Sequence, residues 1–318
     1  MKVVRYTAND APLWDKFVED SKNGTFLFLR GYMDYHSDRF SDHSLMFYNE
    51  KGKLVALLPA NEKDGVLYSH QGLTYGGFVL SPKSKTDEVG ELFDTTIEYL
   101  RTQDIKEWHY KQIPAVYHQL PAEEDEYWLW RHGAVMTDCN VMSAIPLMGV
   151  TNPPVESSRR NNRNRLSKQG YTVDHNATLE DFWPILTDNL QMRFGAKPVH
   201  SFEEMTLLME RFPKEIKCVT VKDAKGTVMA GTILYITDSV VKTQYTSASQ
   251  EGKSNKVLDM LLLSLIELYR QEGKRHWFEF GTSMAENGID LNETLISQKE
   301  GFGARSIACR IYKISITN

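Results

Sequence analysis

A weak internal repeat limits what this chain can fold into more than any other feature. One copy opens near Lys51-Gly52-Lys53-Leu54-Val55-Ala56 and the other near Lys225-Gly226-Thr227-Val228-Met229-Ala230, about 170 residues further on. In each, a Lys-Gly pair flanked by strand-forming residues reads as a hairpin turn. A polar stretch follows: Tyr68-Ser69-His70-Gln71-Gly72-Leu73-Thr74-Tyr75-Gly76-Gly77 in the first copy, Gln244-Tyr245-Thr246-Ser247-Ala248-Ser249-Gln250-Glu251-Gly252 in the second. A helix comes next. In the first copy Val89, Leu92, Phe93, Thr96, Ile97 and Leu100 recur at helical spacing. In the second, residues 256–272 are apolar nearly all round, with a polar stripe through Lys256, Asp259, Glu267 and Arg270; such a helix is largely buried, and Gly273 suits its C-terminal cap. Each helix leads to an aromatic strand (Glu107-Trp108-His109-Tyr110 or His276-Trp277-Phe278-Glu279-Phe280), a Gly-Ala step (Gly133-Ala134 or Gly303-Ala304) and a closing strand at 135–146 or 306–316. This order describes a mixed α/β unit. Two copies in 318 residues predict two domains, 1–148 and 149–318, with the breaker-rich stretch 148–154 between them.

Composition narrows the function classes. With 41% hydrophobic and 25% charged residues, each half can build a core. A net charge of −5 gives no overall electrostatic case for a nucleic-acid binder. Cys139, Cys218 and Cys309 are odd in number and far apart, so they are expected as buried free thiols rather than a zinc site or disulfide framework. The nine histidines lack metal-site spacing, and no metal is expected. No apolar signal core follows the first residues, and no run approaches the roughly 20 apolar residues of a membrane span. The expectation is a cytoplasmic protein without membrane insertion. Neither the Rossmann nor the Walker glycine pattern occurs.

Three segments of the second half suggest a family: the basic helix start Arg159-Arg160-Asn161-Asn162-Arg163-Asn164-Arg165, the strand end Trp277-Phe278-Glu279-Phe280-Gly281-Thr282-Ser283, and Gln298-Lys299-Glu300-Gly301-Phe302-Gly303-Ala304, which is similar to a Lys-x-x-Phe-Gly motif. In these the chain resembles the Fem-type (FemAB-like) acyltransferases of the GNAT (N-acetyltransferase) superfamily. The resemblance covers most of 150–316 and reaches the first half through the repeat. It implies an α/β fold with a mixed sheet, two tandem GNAT-like domains, and transfer of an acyl group to an amine, such as an amino sugar or cell-envelope precursor. The implied donor is acetyl-CoA or another acyl-CoA; aminoacyl-tRNA, the donor of Fem-type enzymes proper, is the alternative. The chain departs from the family where CoA-binding domains carry Gln/Arg-x-x-Gly-x-Gly/Ala. Here Gln250-Glu251-Gly252-Lys253-Ser254-Asn255 has one glycine and an acidic residue. That departure keeps a third reading open, a catalytically degenerate pair serving as a scaffold.

The candidate chemistry gathers mainly in the second half. Gln250, Gly252, Lys253, Ser254 and Asn255 precede a helix whose free N–H groups and dipole attract phosphate, and Ser247 lies on the strand before them. Together they are the donor-binding candidates, although Ser254 or Asn255 equally suits an ordinary N-cap. Glu279 ends a strand and is a candidate general base, or a structural partner of an arginine; Ser283 follows it at the substrate edge. Tyr245 is the candidate acid for the leaving group, or a core residue. Lys299 is suited to neutralising a phosphate or the oxyanion of a tetrahedral intermediate. Phe302 and Gly303 border the substrate if the motif is functional; otherwise they are a core residue and a positive-φ turn. Arg159, Arg160 and Arg163 fall within about 100° of one helical face, an arrangement suited to bidentate phosphate recognition or to a solvated face. His200 is an acceptor-site candidate beside a capping box formed by Ser201 and Glu204. In the first half Ser69, His70 and Tyr75 are expected to shape the acceptor pocket. Ser69 and His70 do not read as a nucleophile pair, because adjacent strand residues point to opposite faces.

Overall fold

In the computed structural model, which describes residues 1–149 and 154–316, the chain divides into two units. Unit 1 contains residues Met1–Asn140 together with the stretch from Ala308 onward, and unit 2 contains Val141–Ile307.

Unit 1 runs β1 (Lys2–Arg5), α1 (Ala11–Asp20), α2 (Arg30–Met33), β2 (Ser41–Asp42), β3 (Leu45–Tyr48), β4 (Leu54–Leu58), β5 (Asn61–Lys63), β6 (Val66–Tyr68), β7 (Val79–Leu80), α3 (Thr86–Thr102), β8 (Glu107–Lys111), α4 (Glu124–Arg131) and the start of β9 (Val135–Pro146). One sheet has the order β1-β3-β4-β7. Gly52, at φ +71°, turns the β3–β4 hairpin where its Lys-Gly pair predicted a turn. In the second layer β6 runs parallel to β8, with α3 as the crossover. Phe78, Phe93, Trp108 and Tyr110 pack ring against ring in the core between them. Asp125 reaches this core from α4 and accepts hydrogen bonds from Tyr110 Oη (2.8 Å) and Gln112 Nε2 (3.1 Å).

Unit 2 continues with α5 (Ser157–Lys168), β10 (Thr172–Asp174), α6 (Leu179–Phe194), α7 (Phe202–Arg211), β11 (Ile216–Lys222), β12 (Val228–Ile236), β13 (Val240–Ala248), α8 (Gln250–Ser254), α9 (Val257–Glu272), β14 (Trp277–Thr282), α10 (Glu293–Glu300) and the start of β15 (Arg305–Ser315). Its sheet has the order β10-β11-β12-β13-β14-β9 and is antiparallel except where β13 meets β14. The apolar face of α9 covers one side, with Leu261, Leu265, Phe278 and Phe302 in the core, and the polar helix α5 packs against α9 through its one buried residue, Leu166. On the other side Phe182 of α6 lies so close to Gly231 that a Cβ there would meet its ring at 2.5 Å. Gly273, at φ +64°, ends α9 as the sequence predicts. The polar stripe of α9 does not face water throughout: Asp259 is buried, bonded by Arg159 (2.7 Å) and Asn162 (2.7 Å) of α5, and Glu267 pairs with Arg163 (2.9 Å).

Two expectations change. The repeat predicts that the strand at 306–316 closes the second half, but β15 pairs with β8 of unit 1, from Ile311↔Lys111 to Ser315↔Glu107. Its apolar residues fit that sheet, and Ile314 is buried in the unit 1 core. Of the expected junction at 148–154, residues 150–153 lie outside the described residues. Cys218 is buried, whereas Cys139 is exposed. Among the described residues no helix is long and apolar enough to cross a membrane, and no group of His, Cys, Asp and Glu could hold a metal ion.

Candidate active site

The parallel strands β13 and β14 pair only through Val240↔Trp277, Val241↔Phe278 and Lys242↔Glu279. β13 runs on to Ala248 against β12, while β14 is kinked: its pairing with β9 steps from Glu279↔Ala144 to Thr282↔Met142, leaving Phe280 and Gly281 (φ +76°) out of the ladder. The two parallel strands therefore part after Lys242 and Glu279. β13 is irregular at the same level. Tyr245 pairs with Ile233 and Thr243 with Leu234, so Gln244 is the extra residue of a bulge. Its Oε1 is buried without a partner.

Buried charges hold the end of β14. Glu279 is fully buried; Oε1 accepts from the Gly281 N–H, and Oε2 lies 3.7 Å from Lys242 Nζ. From α10, Lys299 Nζ donates to Gly281 O (2.8 Å), Thr282 O (2.7 Å) and Ser283 Oγ (2.9 Å). Burial pushes the Lys299 pKa down to about 8; the Glu279 carboxylate opposes that shift and the Lys242 ammonium adds to it. The Glu-Phe-Gly and Lys-x-x-Phe-Gly segments thus meet. Phe280 stacks on Phe302 with centroids 5.8 Å apart, and Gly303 turns the chain at φ +96°. The Arg159 guanidinium sits 4.1 Å over the Phe302 ring and also bonds Gln298 O (2.9 Å). Arg160 donates to Val155 O (2.6 Å). With Arg163 on Glu267, all three arginines are engaged within unit 2.

Tyr245 and Ser247, two residues apart, share the β13 face that meets α6. Tyr245 Oη is 2.7 Å from His200 Nδ1 and also accepts from the His200 N–H (3.4 Å). Burial raises the Tyr245 pKa. His200 is held there by α7, whose N-terminus carries the expected box: the Ser201 N–H donates to Glu204 Oε2 and the Glu204 N–H to Ser201 Oγ. Ser247 Oγ donates to Ile185 O of α6 (3.3 Å).

Residues 250–254 form α8, and here the expected cap is corrected. It is Ser249, not Ser254 or Asn255: Ser249 Oγ accepts from the Gly252 N–H (3.0 Å) because α8 adds a turn ahead of α9. Further N–H groups close the same turn, Lys253 onto Ser249 O and Asn255 onto Glu251 O (both 2.9 Å). Gly252 packs against Met229 O, which a Cβ would meet at 2.2 Å. Lys253 Nζ bonds Asn189, Ser254 Oγ bonds Gln250 O (3.0 Å), and Asn255 Nδ2 bonds Tyr171 Oη (3.4 Å). Ser69, His70 and Tyr75 lie in unit 1, with Tyr75 Oη donating to Thr25 Oγ1 (3.0 Å). Lys242 is not among the residues the motifs point to; its one signal in the sequence is a lone lysine directly after Val240-Val241 at a strand start.

Residues 156–287 match the family described as acetyltransferase (GNAT) domain. No match was found among curated proteins. Among solved structures, the chain is similar to FemX, with a TM-score of 0.70 at 12% identity over 99% of this chain and 97% of that one. It is similar to L-PGS from Bacillus licheniformis (0.62, 14% identity, 99% and 93% covered) and to a tandem GNAT protein from the clavulanic acid biosynthesis pathway (0.54, 13%, 100% and 99%). Residues 156–287 are thus similar to a GNAT acetyltransferase domain, and the chain has a fold like that of FemX and of a tandem GNAT protein.

Proposed function

We propose that this protein is a cytoplasmic N-acyltransferase that takes an acyl-CoA thioester into the gap between β13 and β14 and passes the acyl group to a small-molecule amine. The observation that carries the reading is the parting of the two parallel strands at Lys242 and Glu279. An extended donor laid there takes the place of a missing neighbour strand and can bond the free edge of β13. In the reaction the amine nitrogen attacks the thioester carbonyl carbon, the C–S bond breaks, and the proton lost by the nitrogen ends on the departing thiolate. No protein nucleophile is needed; orientation, oxyanion stabilisation and proton transfer suffice.

In this reading Gln244, at the bulge, supplies a backbone N–H to the developing oxyanion. Tyr245 returns a proton to the thiolate, with His200 as its relay partner at 2.7 Å. Glu279 and Lys299 keep β14 bent away from β13, and Ser247 and the α8 turn border the donor. A second reading, with aminoacyl-tRNA as donor, is favoured by one observation: the turn at 249–255 spends the Gly252, Lys253 and Asn255 N–H groups internally and Gly252 is packed on Met229, which leaves little of a phosphate cradle. Thiol release from acetyl-CoA in the presence of an amine panel, run beside transfer from charged tRNA, tests both. Amine-dependent thiol release supports the first reading, and Tyr245→Phe should slow it about 100-fold. Transfer from charged tRNA alone supports the second, and silence with both donors removes the transferase assignment.

A further inference from the structure

Unit 1 also has a short parallel pair, but there a loop takes over from the first strand. β6 and β8 pair from Val66↔Glu107 to Tyr68↔His109, and beyond that point residues 69–77 leave β6 as a loop. The loop stays against the end of β8: the Ser69 N–H donates to His109 O (2.9 Å) and the Gly76 N–H to Lys111 O (3.0 Å). It follows so tight a path that a Cβ on Gly76 would meet Ser69 O at 2.1 Å.

This loop holds several unfavourable features together. Ser69 is 2% exposed, and its Oγ has no hydrogen-bond partner. His70 is 3% exposed, has a left-handed backbone (φ +55°), and its Nδ1 also lacks a partner. Lys111 points its ammonium group back at the loop, donates to Leu73 O (2.7 Å), and pairs with no carboxylate among the described residues. Burial lowers the His70 pKa to about 3 and that of Lys111 to about 8, and the charged groups acting on His70 are His36, Arg30 and Lys111, each a base. Arg30 is already paired, with Asp34 (2.5 Å) and Asp42 (2.6 Å). A buried unpaired polar group destabilises the fold, and so does a non-glycine residue in a sparsely populated backbone region. A loop made only for packing would not gather two such groups, a strained histidine and an uncompensated lysine.

We propose that residues 69–77 and Lys111 form a binding site for an oxyanion, the carboxylate or phosphate group of a ligand. Lys111 supplies the countercharge, the Ser69 hydroxyl donates one hydrogen bond and the ring of His70 another. Gln71 of the loop is neutral and accepts from Asn61 Nδ2 (2.9 Å), and among the described residues no carboxylate shifts the titration of His70 or Lys111. The site needs no acyl donor, and its test is independent of the transferase reading.

Thermal unfolding of the full chain is followed against sodium phosphate and, separately, sodium succinate, at constant ionic strength set with chloride. A saturable rise in Tm is expected with at least one of them; phosphate alone marks a phosphate-bearing ligand, succinate alone a carboxylate. Lys111→Met should abolish the saturable rise, and Ser69→Ala should weaken half-saturation about tenfold. No saturable rise beyond chloride, or the same rise in Lys111→Met, overturns the proposal. Should Lys111→Met fail to fold, Ser69→Ala decides, because it removes a hydroxyl that makes no bond in the folded chain. Unchanged half-saturation in that variant overturns the proposal too.

Discussion

Lys299 and Asp125 show two fates of a buried charge. Lys299 is 6% exposed, and all three ammonium bonds go to the end of β14 and the residue after it. Lys299→Met should therefore lower stability by about 3 kcal/mol in urea unfolding, since bonds to a buried charge are strong and their loss strands two carbonyls; turnover should fall with it. Asp125 is harder to ionise than a free carboxyl, because burial pushes its pKa up to about 6 from 3.8. The folded state therefore binds more protons than the unfolded one between about pH 4 and pH 6, and stability is lost as pH rises through that window. The total is about 3 kcal/mol at 1.36 kcal/mol per pKa unit. Asp125→Asn should flatten the dependence of the urea midpoint across that window; an unchanged slope would show that other groups cause it. At this scale the sequence displayed the motif residues Glu279, Lys299 and Phe302 but not their partners. The targets of Lys299 are mostly backbone carbonyls, which no residue pattern names, and the Tyr245–His200 contact spans 45 positions.

Helices α3 and α9 were readable because their apolar spacing persists over many residues. Their burial depends on the same spacing. Leu265 is fully buried in the unit 2 core, and Leu265→Ala should cost about 3 kcal/mol, measured by the denaturation midpoint at unchanged slope. The short helix α8 was not readable. Ser249, Ser254 and Asn255 are all good caps by type, and only the packing of Gly252 onto Met229 decides among them. Ser249→Ala should accordingly cost about 1 kcal/mol, the value of a lost cap, whereas Ser254→Ala should be close to neutral. Equal losses in the two variants would contradict the cap assignment. The α6 packing has its own probe: Gly231→Ala forces Phe182 aside and should destabilise by about 1–3 kcal/mol as an overpacked contact.

Across the whole chain the repeat made the order of elements legible: both Lys-Gly turns, both crossover helices and both aromatic strands lie where the pattern put them. The partner of the last strand was not legible. Residues 305–315 alternate in a way that suits either unit, and only the pairing of β15 with β8 assigns residues from 308 onward to unit 1. A fragment of residues 1–140 should consequently be marginally stable, with β8 left as an unpaired edge. A peptide of residues 308–318 added in trans should raise its Tm in a concentration-dependent way; no effect would mean that β15 contributes little to unit 1.

The same closing strand bears on how the protein is made. A ribosome delivers residues in order, at roughly 5–20 per second. It must therefore produce the whole of unit 2 before the segment that completes unit 1 emerges. For many seconds the first-made half waits with a bare strand edge, open to pairing with other chains until residues 308 onward fill it.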